Sequence, residues 1–117
     1  MPESLRQKQS RFLRLTLKLM AYAHEQGYEL TYGHSRRCEA CPVGRWASLH
    51  KDSLALDLNL FKDGKYLKNS IDHKPLGEYW ESLDPDCSWG GRFGESSPGA
   101  GDGWDGNHYS LKHNGRR

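Results

Sequence analysis

The sequence predicts a small α+β domain in which an antiparallel sheet packs on an N-terminal helix. Three observations support this fold class. The chain has 117 residues, which suits one domain spanning residues 1–117. Apolar residues recur at helical spacing near the N terminus, and they alternate strictly with other residues over residues 54–61. Turn-forming Gly, Pro and Asp residues separate the remaining short apolar segments.

The first predicted element is a helix from Ser4 to about Gln26. Pro2 and Ser4 suit its start, and Gly27 suits its C-terminal cap. Spacings of three, four and seven residues predict one core-facing stripe, consisting of Leu5, Phe12, Leu15, Leu19 and Tyr22.

A short strand over Tyr28–Tyr32 and a polar loop over Gly33–Leu49 are predicted next. The following strand, Leu54–Phe61, should direct its leucines to the core. Its other face should look into a cleft on the open side of the sheet, and that face carries Ala55, Asp57, Asn59 and Phe61.

Asp63-Gly64 predicts a hairpin turn into a strand at Lys65–Leu67. A short helix over Pro75–Leu83, a mobile loop over Gly94–Gly103 and a last strand over Asn107–Lys112 complete the chain. The inward residues of the short helix are predicted to be Leu76, Tyr79, Trp80 and Leu83.

Charge and hydropathy argue against several partners. A net charge of +2, spread along the chain, does not predict nucleic-acid binding. The most apolar segment, Phe12–Ala23, contains Arg14 and Lys18, so it indicates an amphipathic helix and no membrane insertion. It also lacks the features of a signal peptide. We therefore expect synthesis and folding in a cytoplasm, with the three cysteines reduced.

Four residues predict a metal centre. His50, Asp57 and His108 supply two imidazoles and one carboxylate, a ligand set that fits one catalytic zinc better than calcium or magnesium. His50 would curl back from the loop before the strand. Gly106 would let the chain bend so that Asp105 and His108 point to the same cleft.

These residues lie in motifs that resemble a known family. Ser48-x-His50-x-x-Ser53-x-Ala55-x-Asp57 and Asp105-x-x-His108 resemble the paired motifs of the D-Ala-D-Ala carboxypeptidase metallopeptidases. That family includes VanX- and VanY-type enzymes and the phage L-alanyl-D-glutamate endopeptidases used as endolysins. The segments most similar to the short phage members are residues 56–66, 76–80 and 89–93.

The resemblance implies a function and a role for each site residue. His50, Asp57 and His108 would bind zinc, Asp105 would be the general base, and Arg37 in Gly33-x-x-x-Arg37 would contact substrate. The substrate would be the peptidoglycan stem peptide, cut between L-Ala and D-Glu by a monomeric endolysin. The enzyme would be made in the host bacterial cytoplasm and reach the wall after membrane disruption. We also assign two further residues to substrate binding, Ser48 and Trp104.

Two departures from the family pattern affect this interpretation. Ser53 replaces a glycine of the first motif, so the turn after His50 lacks a residue that tolerates positive φ. The long loop Gly94–Trp104 places Glu95 and Asp102 near the site in sequence, and either could be mistaken for the base. The spacing to His108 favours Asp105.

Three alternative functions remain open from the sequence. The chain could be a D-Ala-D-Ala carboxypeptidase or dipeptidase on the same scaffold, or a non-catalytic zinc-binding protein. It could also be a zinc-ribbon-like module built on Cys38 and Cys41. The further ligands of such a module would be Cys87 and either His34 or His73.

Overall fold

The structure is a computed structural model that describes residues 3–33, 53–115 and 117. Two α-helices and a five-stranded antiparallel sheet form one small domain within these residues, which confirms the predicted α+β class. The helices are α1 (Leu5–Glu25) and α2 (Lys74–Leu83), and 3₁₀ turns span Ser70–His73 and Gly90–Arg92. The strands are β1 (Glu29–Tyr32), β2 (Ala55–Lys62), β3 (Lys65–Leu67), β4 (Cys87–Trp89) and β5 (His108–Leu111).

Helix α1 begins where its capping residues predict. Ser4 Oγ accepts a hydrogen bond from the Gln7 backbone N–H, and the Gln7 side chain accepts one from the Ser4 N–H. This reciprocal pair satisfies two N–H groups that the helix cannot bond internally. The residues of α1 that are buried in the core are Phe12, Leu15, Thr16, Leu19 and Ala23.

The prediction that Leu5 lies in the core is wrong, since its side chain is 42% exposed. Leu5 belongs to the first turn of α1, and the first α1 residue in the core cluster is Phe12, two turns later. Tyr22 is half-buried, and its ring stacks on Tyr79 of α2 with centroids 4.0 Å apart.

The sheet has the strand order β1-β2-β5-β4, and β3 pairs with the far end of β2. The β2–β3 hairpin closes through Asp63 and Gly64, with φ values of 53° and 78°. Two successive positive φ values are typical of a type I′ turn, as the Asp-Gly pair predicts.

The core lies between the helices and one face of the sheet. Leu54, Leu58 and Leu60 are fully buried, as the alternation predicts, whereas Leu56 is half-buried. In α2, Trp80 is buried and donates its indole N–H to the carbonyls of Ser88 and Ser110, which joins α2 to β4 and β5.

Strand β4 was not predicted from the sequence. It has three residues and all of them are buried, so it lacks the alternation that marks a half-buried strand. Its Trp89 ring lies against α2 at Gly77, where a Cβ atom would overlap the indole.

A buried histidine joins the turn before α2 to the sheet. His73 Nδ1 lies 2.7 Å from the Tyr109 hydroxyl, and both side chains are inaccessible or nearly so. Burial lowers the pKa of His73 to about 4 and raises that of Tyr109 well above its usual value. Both groups are therefore neutral at pH 7.

This histidine predicts a loss of stability in mild acid. Below the ordinary histidine pKa of about 6.5, the unfolded chain binds a proton that folded His73 excludes. The free energy of unfolding should therefore fall by up to about 3 kcal/mol between pH 6.5 and pH 4. Urea denaturation across this range should show that His73→Gln removes this part of the pH dependence. The exposed-site control His24→Gln should retain it. If the free energy of unfolding fell equally with pH in the two variants, His73 would not be the source of the pH dependence.

None of the helices in the described ranges is long and apolar enough to span a bilayer.

Candidate metal centre

Asp57 and His108 face each other across β2 and β5. The neighbouring Leu58 N–H donates to the Asn107 carbonyl at 2.9 Å, so Asp57 and His108 form the non-hydrogen-bonded type of antiparallel pair. Opposite side chains come closest in pairs of this type. His108 Nδ1 lies 3.5 Å from Asp57 Oδ1, and both side chains are largely buried.

A turn before β5 brings Asp105 to the same place. The His108 N–H donates to the Asp105 carbonyl at 3.0 Å, and Asp105 Oδ2 lies 3.8 Å from His108 Nδ1. Gly106 lies inside this turn, where its N–H donates to Ser70 Oγ and its carbonyl accepts from the Trp89 indole. The chain turns at Gly106, as predicted from the sequence. A Cβ atom at Gly106 would lie 2.6 Å from Ser70 Cβ, so close packing explains the glycine.

Two other glycines make room for the acidic side chains. Gly33 extends β1 beside Asp57 and donates its N–H to the Asp57 carbonyl at 2.8 Å. A Cβ atom there would lie 2.9 Å from Asp57 Cβ. Gly90 lies under the Asp105 backbone, and a Cβ atom there would overlap the Asp105 carbonyl. No sequence pattern predicts a role for Gly90, although it lies in the segment 89–93 that resembles the short phage members.

The separation of Asp57 and His108 is compatible with two ligands of one zinc ion. Tetrahedral bonds of about 2.0–2.1 Å place two ligand atoms about 3.3 Å apart. The observed 3.5 Å between Nδ1 and Oδ1 is close to that value. One imidazole and one carboxylate are also donors that zinc accepts. The two predicted ligands in the described residues therefore fit the metal.

The remaining predicted site residues, Arg37, Ser48 and His50, lie outside the described residues, as do Cys38, Cys41 and His34. Within residues 3–33, 53–115 and 117, no group of three or more His, Cys, Asp or Glu side chains is placed so that it could hold a metal ion. The described part of the chain thus supplies two of the three predicted ligands, together with the predicted base.

The two alternative bases have other roles in the structure. Glu95 Oε2 accepts from the Gly101 N–H at 2.8 Å and lies 3.3 Å from Arg92 Nη1. Asp102 accepts from both the backbone N–H and the hydroxyl of Ser96, each at 2.8 Å. These hydrogen bonds lower the pKa of both carboxyl groups. Glu95 and Asp102 therefore hold the loop together, whereas Asp105 lies beside His108.

An exposed tryptophan packs on a buried phenylalanine next to the site. The Trp104 side chain is 75% exposed and precedes Asp105, and its ring centroid lies 5.6 Å from that of Phe93. Phe93 also lies 5.6 Å from the His108 ring, and the Arg117 guanidinium lies over its face. Trp104 was predicted from the sequence, whereas no sequence pattern marks Phe93 as a contact of His108.

Cys87 is poorly suited to bind a metal. It lies in β4 within the hydrophobic core, and burial raises the pKa of its thiol to about 12. Zinc binds the thiolate form, which this environment disfavours. His73, the other described candidate for a cysteine-based zinc module, is within hydrogen-bond distance of Tyr109.

Ser53 adopts a left-handed backbone conformation at the position where the motif that the sequence resembles has glycine. Its φ is 57°, so the turn before β2 does require a left-handed residue. A residue other than glycine is strained there by roughly 1–2 kcal/mol.

The stability of Ser53 variants should depend on how well each residue tolerates this left-handed conformation. Ser53→Gly should leave the free energy of unfolding unchanged or raise it by up to about 1 kcal/mol. Ser53→Val should lower it by roughly 1–2 kcal/mol, because β-branched residues rarely adopt positive φ. Ser53 is exposed, so neither change disturbs the core. Chemical denaturation would measure both values, and equal stability of the two variants would contradict the assigned conformation.

Comparisons with protein-family models, with curated proteins and with solved structures found no match to this chain.

Proposed function

We propose that this protein is a zinc-dependent peptidoglycan peptidase, similar to the phage endolysins of the D-Ala-D-Ala carboxypeptidase family. Its substrate would be the L-Ala–D-Glu bond of the stem peptide. One observation carries the proposal: Asp57 is about fifty residues away from Asp105 and His108 in the sequence, yet the three side chains converge at one end of the β2–β5 pair. These are the residues that the family motifs designate as two ligands and the base.

Each residue would have a distinct role in the reaction. Asp57 and His108 would hold the zinc together with His50. When bound, zinc would act as a Lewis acid that makes a water nucleophilic near neutral pH. Asp105, which is more exposed than Asp57 or His108, would accept the proton of the attacking water and deliver it to the leaving amine. Arg37 would bind a substrate carboxylate or the charge that develops on the scissile carbonyl.

Two local observations support the family assignment beyond the site itself. Ser53 stands where the motif has glycine, and its φ of 57° is one that glycine adopts without strain. Gly33, which begins the Gly-x-x-x-Arg motif, lies directly beside Asp57. Both positions carry backbone constraints that the motif would explain.

The substrate would bind along the cleft on the open face of the sheet. Trp104, which is exposed and lies against the buried Phe93 ring, would form one wall. An exposed aromatic ring beside a site favours contact with apolar or ring-shaped ligand groups. Ser48 and Arg37, from the segment before β2, would also contact the substrate. The protein would act as a monomer, made in the host cytoplasm and released to the wall when the membrane is disrupted.

Digestion of purified peptidoglycan tests the proposed bond. We expect the turbidity of a wall suspension to fall and mass spectrometry of labelled amino termini to find new D-Glu termini. An endolysin gains from this cut because it releases a whole cross-linked stem from the glycan. Release of free D-Ala without D-Glu termini would assign the protein to the carboxypeptidase branch. Intact peptidoglycan after incubation with zinc-loaded protein would refute the peptidase proposal.

A further inference from the structure

The outward face of α1 combines exposed leucines with unopposed positive charge. Leu13 and Leu17 are 64% and 63% exposed, and their spacing of four residues places them side by side. Arg6, Arg14 and Lys18 are exposed on the same side of the helix. This outer face, defined by these five residues, lies opposite the stripe that α1 buries in the core.

Acidic residues do not neutralise this face. The sequence has no Asp or Glu between Ser4 and His24. Glu3, just before the helix, pairs with Arg11 at 2.8 Å, and Arg11 also binds Asp84 and Asp86 on the body of the domain. Glu25 follows in the last turn of α1.

We propose that the outer face of α1 is a docking surface for an anionic lipid bilayer. Cationic side chains next to exposed leucines on one helix face are typical of helices that lie flat on a membrane. The leucines would enter the boundary between headgroups and acyl chains, while Arg14 and Lys18 would bind lipid phosphates. Only two leucines enter, so the binding is reversible.

Charge complementarity favours this partner over two others. A second copy of the chain would bring the positive residues of two outer faces together, which is repulsive. A nucleic acid would match the positive charge but would not bury Leu13 or Leu17. An anionic bilayer satisfies both the charged and the apolar residues.

Vesicle co-sedimentation tests the proposal with the full chain. We expect binding to vesicles of phosphatidylcholine and phosphatidylglycerol in equal parts, and at most weak binding to pure phosphatidylcholine. Leu13→Gln with Leu17→Gln, and separately Arg14→Glu with Lys18→Glu, should each weaken the apparent affinity by about 10-fold or more. Glutamine has a helix propensity close to that of leucine, so circular dichroism should show an unchanged fold.

A matched control separates a defined surface from net charge. Lys65→Glu with Lys68→Glu changes the net charge equally at two exposed positions on and just after β3, and it should leave the affinity within about 2-fold. The proposal is overturned if the mixed vesicles bind no protein, or if this control weakens binding as much as the α1 charge variant. It is also overturned if the leucine variant binds normally, or if light scattering finds a dimer that the leucine variant dissociates. The vesicles contain no peptidoglycan, so the result does not depend on the proposed peptidase activity.

Discussion

Replacing His108 with alanine is expected to remove the bound zinc and to reduce peptidoglycan hydrolysis to background. His108 is one of three proposed ligands, and its imidazole lies 3.5 Å from the carboxylate of a second, Asp57. Loss of a direct ligand should weaken zinc binding by more than about 100-fold, because even the residues that only support ligands contribute about 10- to 100-fold. Zinc content after dialysis and the rate of turbidity loss would measure the two effects.

A second variant and a control make this test specific. Asp57→Asn preserves the side-chain volume but replaces the charged ligand with an amide, so it should also lose zinc while the sheet remains folded. His24→Ala removes an exposed histidine of α1 and should retain full zinc and activity. Stoichiometric zinc in either His108→Ala or Asp57→Asn would show that the metal does not bind between β2 and β5.

Asp105→Asn is expected to keep the zinc and the fold but to lower kcat by about 100- to 10,000-fold, the usual contribution of a general acid–base group. The amide cannot accept the proton of the attacking water, yet it has nearly the same shape as the carboxylate. The Asp105 backbone should remain in place, since the Asp105 carbonyl still accepts from the His108 N–H. Single-turnover hydrolysis of a defined stem peptide, alongside zinc analysis, would separate this effect from metal loss.

The long loop offers matched controls for Asp105. Asp102→Asn makes the same chemical change three residues earlier, where the carboxylate binds Ser96. Glu95→Gln changes the carboxylate that binds Gly101. Both variants should retain kcat within a few fold and at most reduce stability. If Asp105→Asn were nearly as active as the wild type while one of these variants lost turnover, the base would lie in the loop.

The position of Asp105 depends on packing that is distant from it in sequence. Its turn is held by Ser70 and by the Trp89 indole, both of which bind Gly106. Its backbone rests on Gly90, where no side chain could be accommodated. Trp89 in turn packs on α2 at Gly77. The proposed base, Asp105, is therefore held by β4 and the turns around it, the part of the fold that the sequence patterns did not reveal.

Local patterns in the sequence were enough to determine several elements. The capping residues and apolar spacing of α1, the alternation in β2 and the Asp63-Gly64 hairpin all act within a few residues of the chain. Such short-range preferences can be read from neighbouring residues, since helix and strand periodicities repeat within each element. Asp57 could for the same reason be assigned to the face of β2 opposite the leucines.

The motifs predicted that Asp57, Asp105 and His108 would lie at one site, but only the tertiary structure decided how their strands pair. The pairing of Asp57 with His108 is a register between strands about fifty residues apart, and no local pattern specifies that register. Strand β4 is too short and too buried to show alternation, so its place beside β5 emerged only from the fold. The left-handed φ of Ser53 and the exposure of Leu5 likewise depend on what surrounds them. The sequence by itself determined the chemical groups and the elements that carry them. Long-range strand pairing and close packing at the glycines decided how near to one another those groups lie.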